Sequence, residues 1–112
     1  DTNNNFDATT NYRFQPTVAG YYNLYAQLNY TMTSNSFLVL YKNGSVFCYG
    51  GVGTGWSGIS GTTAIVNTVM FLNGSTDYIE LYVNQQSGSS QAIFSSSPYI
   101  YTYFQASLAR SA

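Results

Sequence analysis

Residues 20–30, GYYNLYAQLNY, alternate with a period of two. Tyr22, Leu24, Ala26, Leu28 and Tyr30 fall on one side, and Tyr21, Asn23, Tyr25, Gln27 and Asn29 on the other. Successive side chains of an extended chain point to opposite faces, so this stretch predicts a strand with one apolar, core-facing side. In SFLVLYKNGSVFCYG, residues 36–50, two strand-like runs flank Asn43-Gly44. Asn-Gly suits a two-residue turn with positive φ at both positions, so a hairpin is expected there.

TTAIVNTVMFLNGSTDYIELYVNQ, residues 62–85, repeats the pattern with a longer connection, Asn73 to Thr76, and predicts a second hairpin. Its second strand sets Ile79, Leu81 and Val83 against Tyr78, Glu80 and Tyr82. In the last run, YTYFQASLAR, Thr102, Phe104, Ala106 and Leu108 share a side. No apolar run at three-four spacing lasts beyond two turns, so no helix is expected. Short strands separated by regular turn signals predict an all-β fold, a β-sandwich with a shared core between two sheets.

The length of 112 residues fits one domain, 1–112. Only 6% of residues are charged, against about 25% in ordinary usage, while twelve Tyr and seven Phe make a heavy aromatic load. That excludes the high-charge, aromatic-poor composition of disordered chains. Low charge with many aromatics favours self-association, and Tyr-rich surfaces also suit recognition. The only bases are Arg13, Lys42 and Arg110, so the patch needed for nucleic acid is missing. No apolar run reaches the roughly 18 residues of a membrane-spanning helix.

Candidate chemistry is sparse. Without histidine, Ser-His and Cys-His nucleophile pairs cannot be built within the chain, and no enzyme is expected. The acids are Asp1, Asp7, Asp77 and Glu80; the last two, three apart on a strand, would face opposite ways. Cys48 is the sole thiol, which leaves zinc only a site built from three symmetry-related copies of it. Asn29, Asn43 and Asn73 head glycosylation-type triplets, cheap matches in so Asn-, Ser- and Thr-rich a chain.

CYGGVGTGWSGISG, residues 48–61, surrounds the only tryptophan with glycines. A phosphate loop needs a following helix or a Lys-Ser or Lys-Thr pair, and neither is present. The stretch reads as a long inter-strand connection, with Ser60-Gly61 opening the next strand. Trp56 either packs as a lid or across a subunit boundary, or stands exposed as a stacking surface for a sugar or protein. Residues 50–61 are the candidate partner loop, with Trp56, Thr54 and Ser57 in it and the preceding Tyr49 as candidate contacts.

The order of landmarks resembles the complement C-one-q-like globular head, related to tumour necrosis factor. Phe14, Pro16, Gly20 and Tyr22 in YRFQPTVAGYYNLYAQL are similar to its opening motif. LYKNGS resembles its central hairpin, SGTTAIVNTVMFLNGSTDYIEL its paired-strand unit, and YFQASL its closing motif, with Phe104 and Leu108 in place. Tyr12 and Ala106 depart from the family's glycines, and Thr76-Asp77 follows Gly74 at a distance.

The resemblance implies a jelly-roll β-sandwich that forms a homotrimer, caps a fibrous stalk as its C-terminal knob, and binds partners without catalysis. Tyr21, Tyr25, Tyr78, Tyr82 and Tyr103 are then the candidate threefold interface. Some relatives bind calcium near the axis, where Asp7 or Asp77 could contribute; the residues themselves read as turn formers, and no cofactor is expected. The Tyr-, Asn- and Ser-rich style resembles the knobs of bacteriophage tail fibres and needles. That implies a virion protein which meets a host-surface protein or glycan. A secreted or bacterial-surface ligand of extracellular location, and a purely structural cap, are the alternatives.

Overall fold

The computed structural model describes residues 3–30, 36–53, 62–95 and 98–112. Its elements are all strands: β1 (Phe6–Asp7), β2 (Arg13–Phe14), β3 (Gly20–Tyr30), β4 (Ser36–Lys42), β5 (Ser45–Tyr49), β6 (Gly51–Gly53), β7 (Thr62–Leu72), β8 (Ile79–Gln85) and β9 (Tyr103–Ser111). They form two antiparallel sheets, a five-stranded one ordered β1-β2-β8-β4-β5 and a four-stranded one ordered β6-β7-β3-β9. Leu24, Ala26, Val66, Met70 and Leu72 from the second sheet meet Leu38, Leu40 and Ile79 from the first in one buried cluster. The protein is an all-β sandwich, as the alternation predicts.

β3 carries its own explanation. Tyr22, Leu24, Ala26, Leu28 and Tyr30 are all buried, each in the position its period of two assigns. The Tyr22 hydroxyl donates to the Val18 carbonyl at 2.7 Å, so a phenol enters the core without an unpaired polar group. Phe14 packs edge-on to Tyr22 at 5.7 Å and meets Phe104 at 6.1 Å, which ties the two sheets along one side.

The hairpin at Asn43-Gly44 forms as expected, with φ of 53° and 76°, the left-handed pair that a two-residue turn requires. The second expected hairpin does not. β7 pairs with β3 in eleven-residue register, while β8 pairs with β4 and β2 in the other sheet. Residues 73–78 are therefore a crossing between sheets, closed by a side chain: Asn73 Oδ1 accepts the N–H groups of Ser75, Thr76 and Asp77 at 2.9 to 3.0 Å.

The glycine-rich stretch is also more than a connection. Cys48 and Tyr49 belong to β5, and Gly51–Gly53 form β6, paired with β7 in the opposite sheet. Gly50 makes the change of sheet. A Cβ there would lie 2.5 Å from the Ile65 carbonyl oxygen and 2.8 Å from Val66 Cβ, while its own N–H donates to the Leu38 carbonyl at 2.8 Å. Only a residue without a side chain lets the backbones approach this closely.

Candidate functional site

The outer face of the four-stranded sheet is built in rows by the register of β7, β3 and β9. Phe71, Tyr21 and Arg110 form one row; Val69, Asn23 and Ser107 the next; then Asn67, Tyr25 and Gln105; then Ile65, Gln27 and Tyr103. Tyr25 stacks on Tyr103 at 5.4 Å, and Tyr21 meets Phe71 edge-on at 5.5 Å. Arg110 lies 5.1 Å over the Tyr21 ring and is the one charged side chain in these rows. A hydrogen bond with Tyr103, then burial, pushes the Tyr25 phenol above its ordinary value, so it stays neutral. Shallow hollows of about 390 and 210 Å3 flank Tyr25 on either side.

The apolar part of this face comes from β7. Ala64, Val66, Met70 and Leu72 point inward and are buried, while Ile65, Val69 and Phe71 point outward, Val69 being 57% exposed. A strand that is apolar on both parities is the pattern of one covered on both faces. The signal lies in TTAIVNTVMFL itself, where Ile65, Val69 and Phe71 carry it and no tyrosine does.

The five candidate interface tyrosines do not share one surface. Tyr21, Tyr25 and Tyr103 lie on the outer four-stranded face, whereas Tyr82 lies on the outside of the five-stranded sheet and Tyr78 precedes its strand β8. There the rings are used within the chain. Val39 has outward parity yet is only 4% exposed, because its register partners Tyr49 and Tyr82 flank it. Phe37 packs on Tyr49 at 5.5 Å and Tyr41 on Tyr82 at 4.8 Å. Tyr78 lies 4.5 Å beneath the Arg13 guanidinium. Of the partner loop, Tyr49 is exposed on β5, while Thr54, Trp56 and Ser57 lie outside the described residues.

Asp7, at the end of β1, and Asp77, in the crossing after β7, are both held by local hydrogen bonds. Asp7 Oδ1 accepts N–H from Thr9 and Thr10, and Oδ2 from Asn11, at 2.9 to 3.0 Å. Those bonds, led by Thr10, hold its carboxyl well below the usual range. Asp77 accepts from Asn43 Nδ2 at 2.7 Å and Asn73 N–H at 3.0 Å, and pairs with Lys42 Nζ at 3.0 Å. The Asn43 amide above all, aided by Lys42 and Asn73, lowers its carboxyl against the opposing effect of burial. Asp77 thus clamps the β4–β5 hairpin to the β7–β8 crossing.

A lowered carboxyl stabilises the fold where it is ionised and ceases to as it protonates, so stability should fall below about pH 4. Asp77→Asn should lower the neutral-pH melting temperature and flatten the acid limb of a melting-temperature profile between about pH 4 and pH 2. An unchanged acid limb would place the acid sensitivity elsewhere.

Cys48 sits opposite Leu40 and packs on the core, with its thiol pushed up by burial. It has the inward parity of Leu40, on edge strand β5. Asn29 is buried with its amide nitrogen on Thr63 Oγ1 at 2.9 Å, which removes it as a glycan acceptor. No family model and no curated protein matches the chain.

Proposed function

We propose that the chain is a non-enzymatic, trimeric jelly-roll head that caps a bacteriophage tail fibre or needle and acts in host-surface attachment or envelope penetration. The observation that carries self-association is the outer four-stranded face, where Ile65, Val69 and Phe71 stand exposed among Tyr21, Tyr25 and Tyr103. Obligate interfaces resemble a core cut in half, and this face has that composition. The five-stranded sheet covers its outward Val39 with its own rings, of which Tyr49 and Tyr82 are in turn exposed.

Jelly-roll winding is supported by the repeated passage between sheets at β2–β3, β3–β4, β5–β6, β7–β8 and β8–β9. The virion setting rests on the sequence resemblance. Three linked copies give avidity, since later contacts become intramolecular after the first. Competition tests the attachment role: purified chain added before the virus that encodes it should reduce adsorption to host cells, and Trp56→Ala should weaken that competition. Undiminished adsorption would leave a structural cap.

A further inference from the structure

The β1–β2 hairpin and the crossing after β7 border an open polar hollow of about 360 Å3. It follows Leu72 at one end of β7, ten residues along the strand from Thr62 and the candidate partner loop. Its volume is at the small end of ligand sites, which run from about 300 to 1,000 Å3. Asn5, Asp7, Asn11, Arg13, Gln15 and Ser75 supply polar walls.

These side chains are fixed in place yet retain unused capacity. Arg13 is held over the Tyr78 ring, and among the described residues its guanidinium has no ion-pair partner. Asn11 Nδ2 donates to Asp7 Oδ2 at 2.9 Å, which leaves Asn11 Oδ1 to accept. Gln15 Nε2 donates to the Ser75 carbonyl at 2.7 Å, which leaves Oε1 to accept. Asn5 Oδ1 is buried in the wall without a donor among the described residues. Groups held this way pay little ordering cost when a ligand arrives.

The local backbone is also unusual. Asn4 and Tyr12 hold φ of 53° and 52°, and no tight Asn-Gly turn accounts for them as it does for Asn43. Non-glycine residues in this region are uncommon and cluster where shape serves function. Tyr12 lies between two wall residues in the chain and is 67% exposed.

Charge decides the ligand class. Arg13 alone would select an anion, and Asp7 alone a cation. The two are register partners across β1 and β2, so the hollow presents no net charge. What remains is a neutral ligand that can donate to amide oxygens and accept from a guanidinium at several points. We propose that this hollow binds a neutral sugar residue, whose hydroxyls donate to Asn11 Oδ1 and Gln15 Oε1 and accept from Arg13. The site shares no residue with the outer sheet rows and needs neither trimerisation nor residues 54–61, so it stands or falls apart from the reading above.

Saturation-transfer NMR on the full chain tests it, with the methyl glycosides of glucose, galactose, mannose and N-acetylglucosamine as probes. Methyl glucuronide, read in the same way, and calcium chloride, read by changes in the protein's own chemical shifts, serve as charged comparators. At least one neutral glycoside should show transfer at millimolar concentration. Its affinity should fall about tenfold or more in Arg13→Met, which keeps a stem over Tyr78 but loses the donors. Asn11→Ala should weaken it as well; the Asn11 N–H still reaches Asp7, so this variant carries the test if Arg13→Met does not fold. Transfer from no neutral glycoside, transfer that folded variants leave intact, or response to the charged probes alone would overturn the proposal.

Discussion

Val69→Asp is expected to give a folded monomer of 12.3 kDa, against the trimer proposed for the parent chain. In the single chain Val69 is more than half exposed, opposite Asn23, so the change costs the isolated fold little, about 0.5 kcal/mol or less. In an assembly that covers this face, each copy would bury a carboxylate among Tyr21, Tyr25, Ile65 and Phe71. An unpaired buried charge costs several kcal/mol; about 3 kcal/mol already weakens association more than a hundredfold. Tyr82→Asp, on the outside of the other sheet, should leave the mass unchanged. Light scattering of both variants at matched concentration checks the pair. Loss of assembly in Tyr82→Asp with retention in Val69→Asp would move the interface to the five-stranded sheet.

Leu40→Ala carries the largest expected loss of stability. Leu40 is fully buried at the centre of β4, between register partners Cys48 and Leu81, in the cluster that both sheets share. Truncation removes transfer free energy and leaves a cavity, together about 2–5 kcal/mol. Folding stabilities are typically about 5–15 kcal/mol, so the variant should melt about 10–20 °C lower. Leu108→Ala makes a useful contrast, because Leu108 has inward parity on edge strand β9 yet is 44% exposed. Its melting temperature should fall much less. Equal losses at the two sites would mean that the Leu108 side is covered in the assembly.

The core was legible wherever local alternation decides it. Parity sorts GYYNLYAQLNY into core and outward residues except at Asn29, which is buried against Thr63, and Asn43-Gly44 sets its hairpin through backbone sterics. Partner choice was less legible, since it depends on distant segments. Asn73-Gly74 resembles the first turn, but only Gly74 is left-handed there, and Asn73 closes the segment with its side chain. The flanking strands then diverge into different sheets, and two apolar runs beside an Asn-Gly carry no record of that. Gly50 is similar: its role depends on the approach of Ile65, fifteen residues later.

The candidate site shows the same division. Aromatic content pointed to a sticky surface, but it grouped tyrosines from two sheets, and sequence offers no way to tell which sheet carries a given outward ring. The outward apolar residues of β7, Ile65, Val69 and Phe71, all lie on the four-stranded sheet. The polar hollow brings residues 4–17 to Gly74 and Ser75, a pairing across some sixty positions that no local pattern contains.

Sedimentation equilibrium of the full chain at micromolar concentration tests the threefold assembly most directly. A single species at three times the 12.3 kDa chain mass is the predicted result. A folded species at the mass of one chain would contradict it.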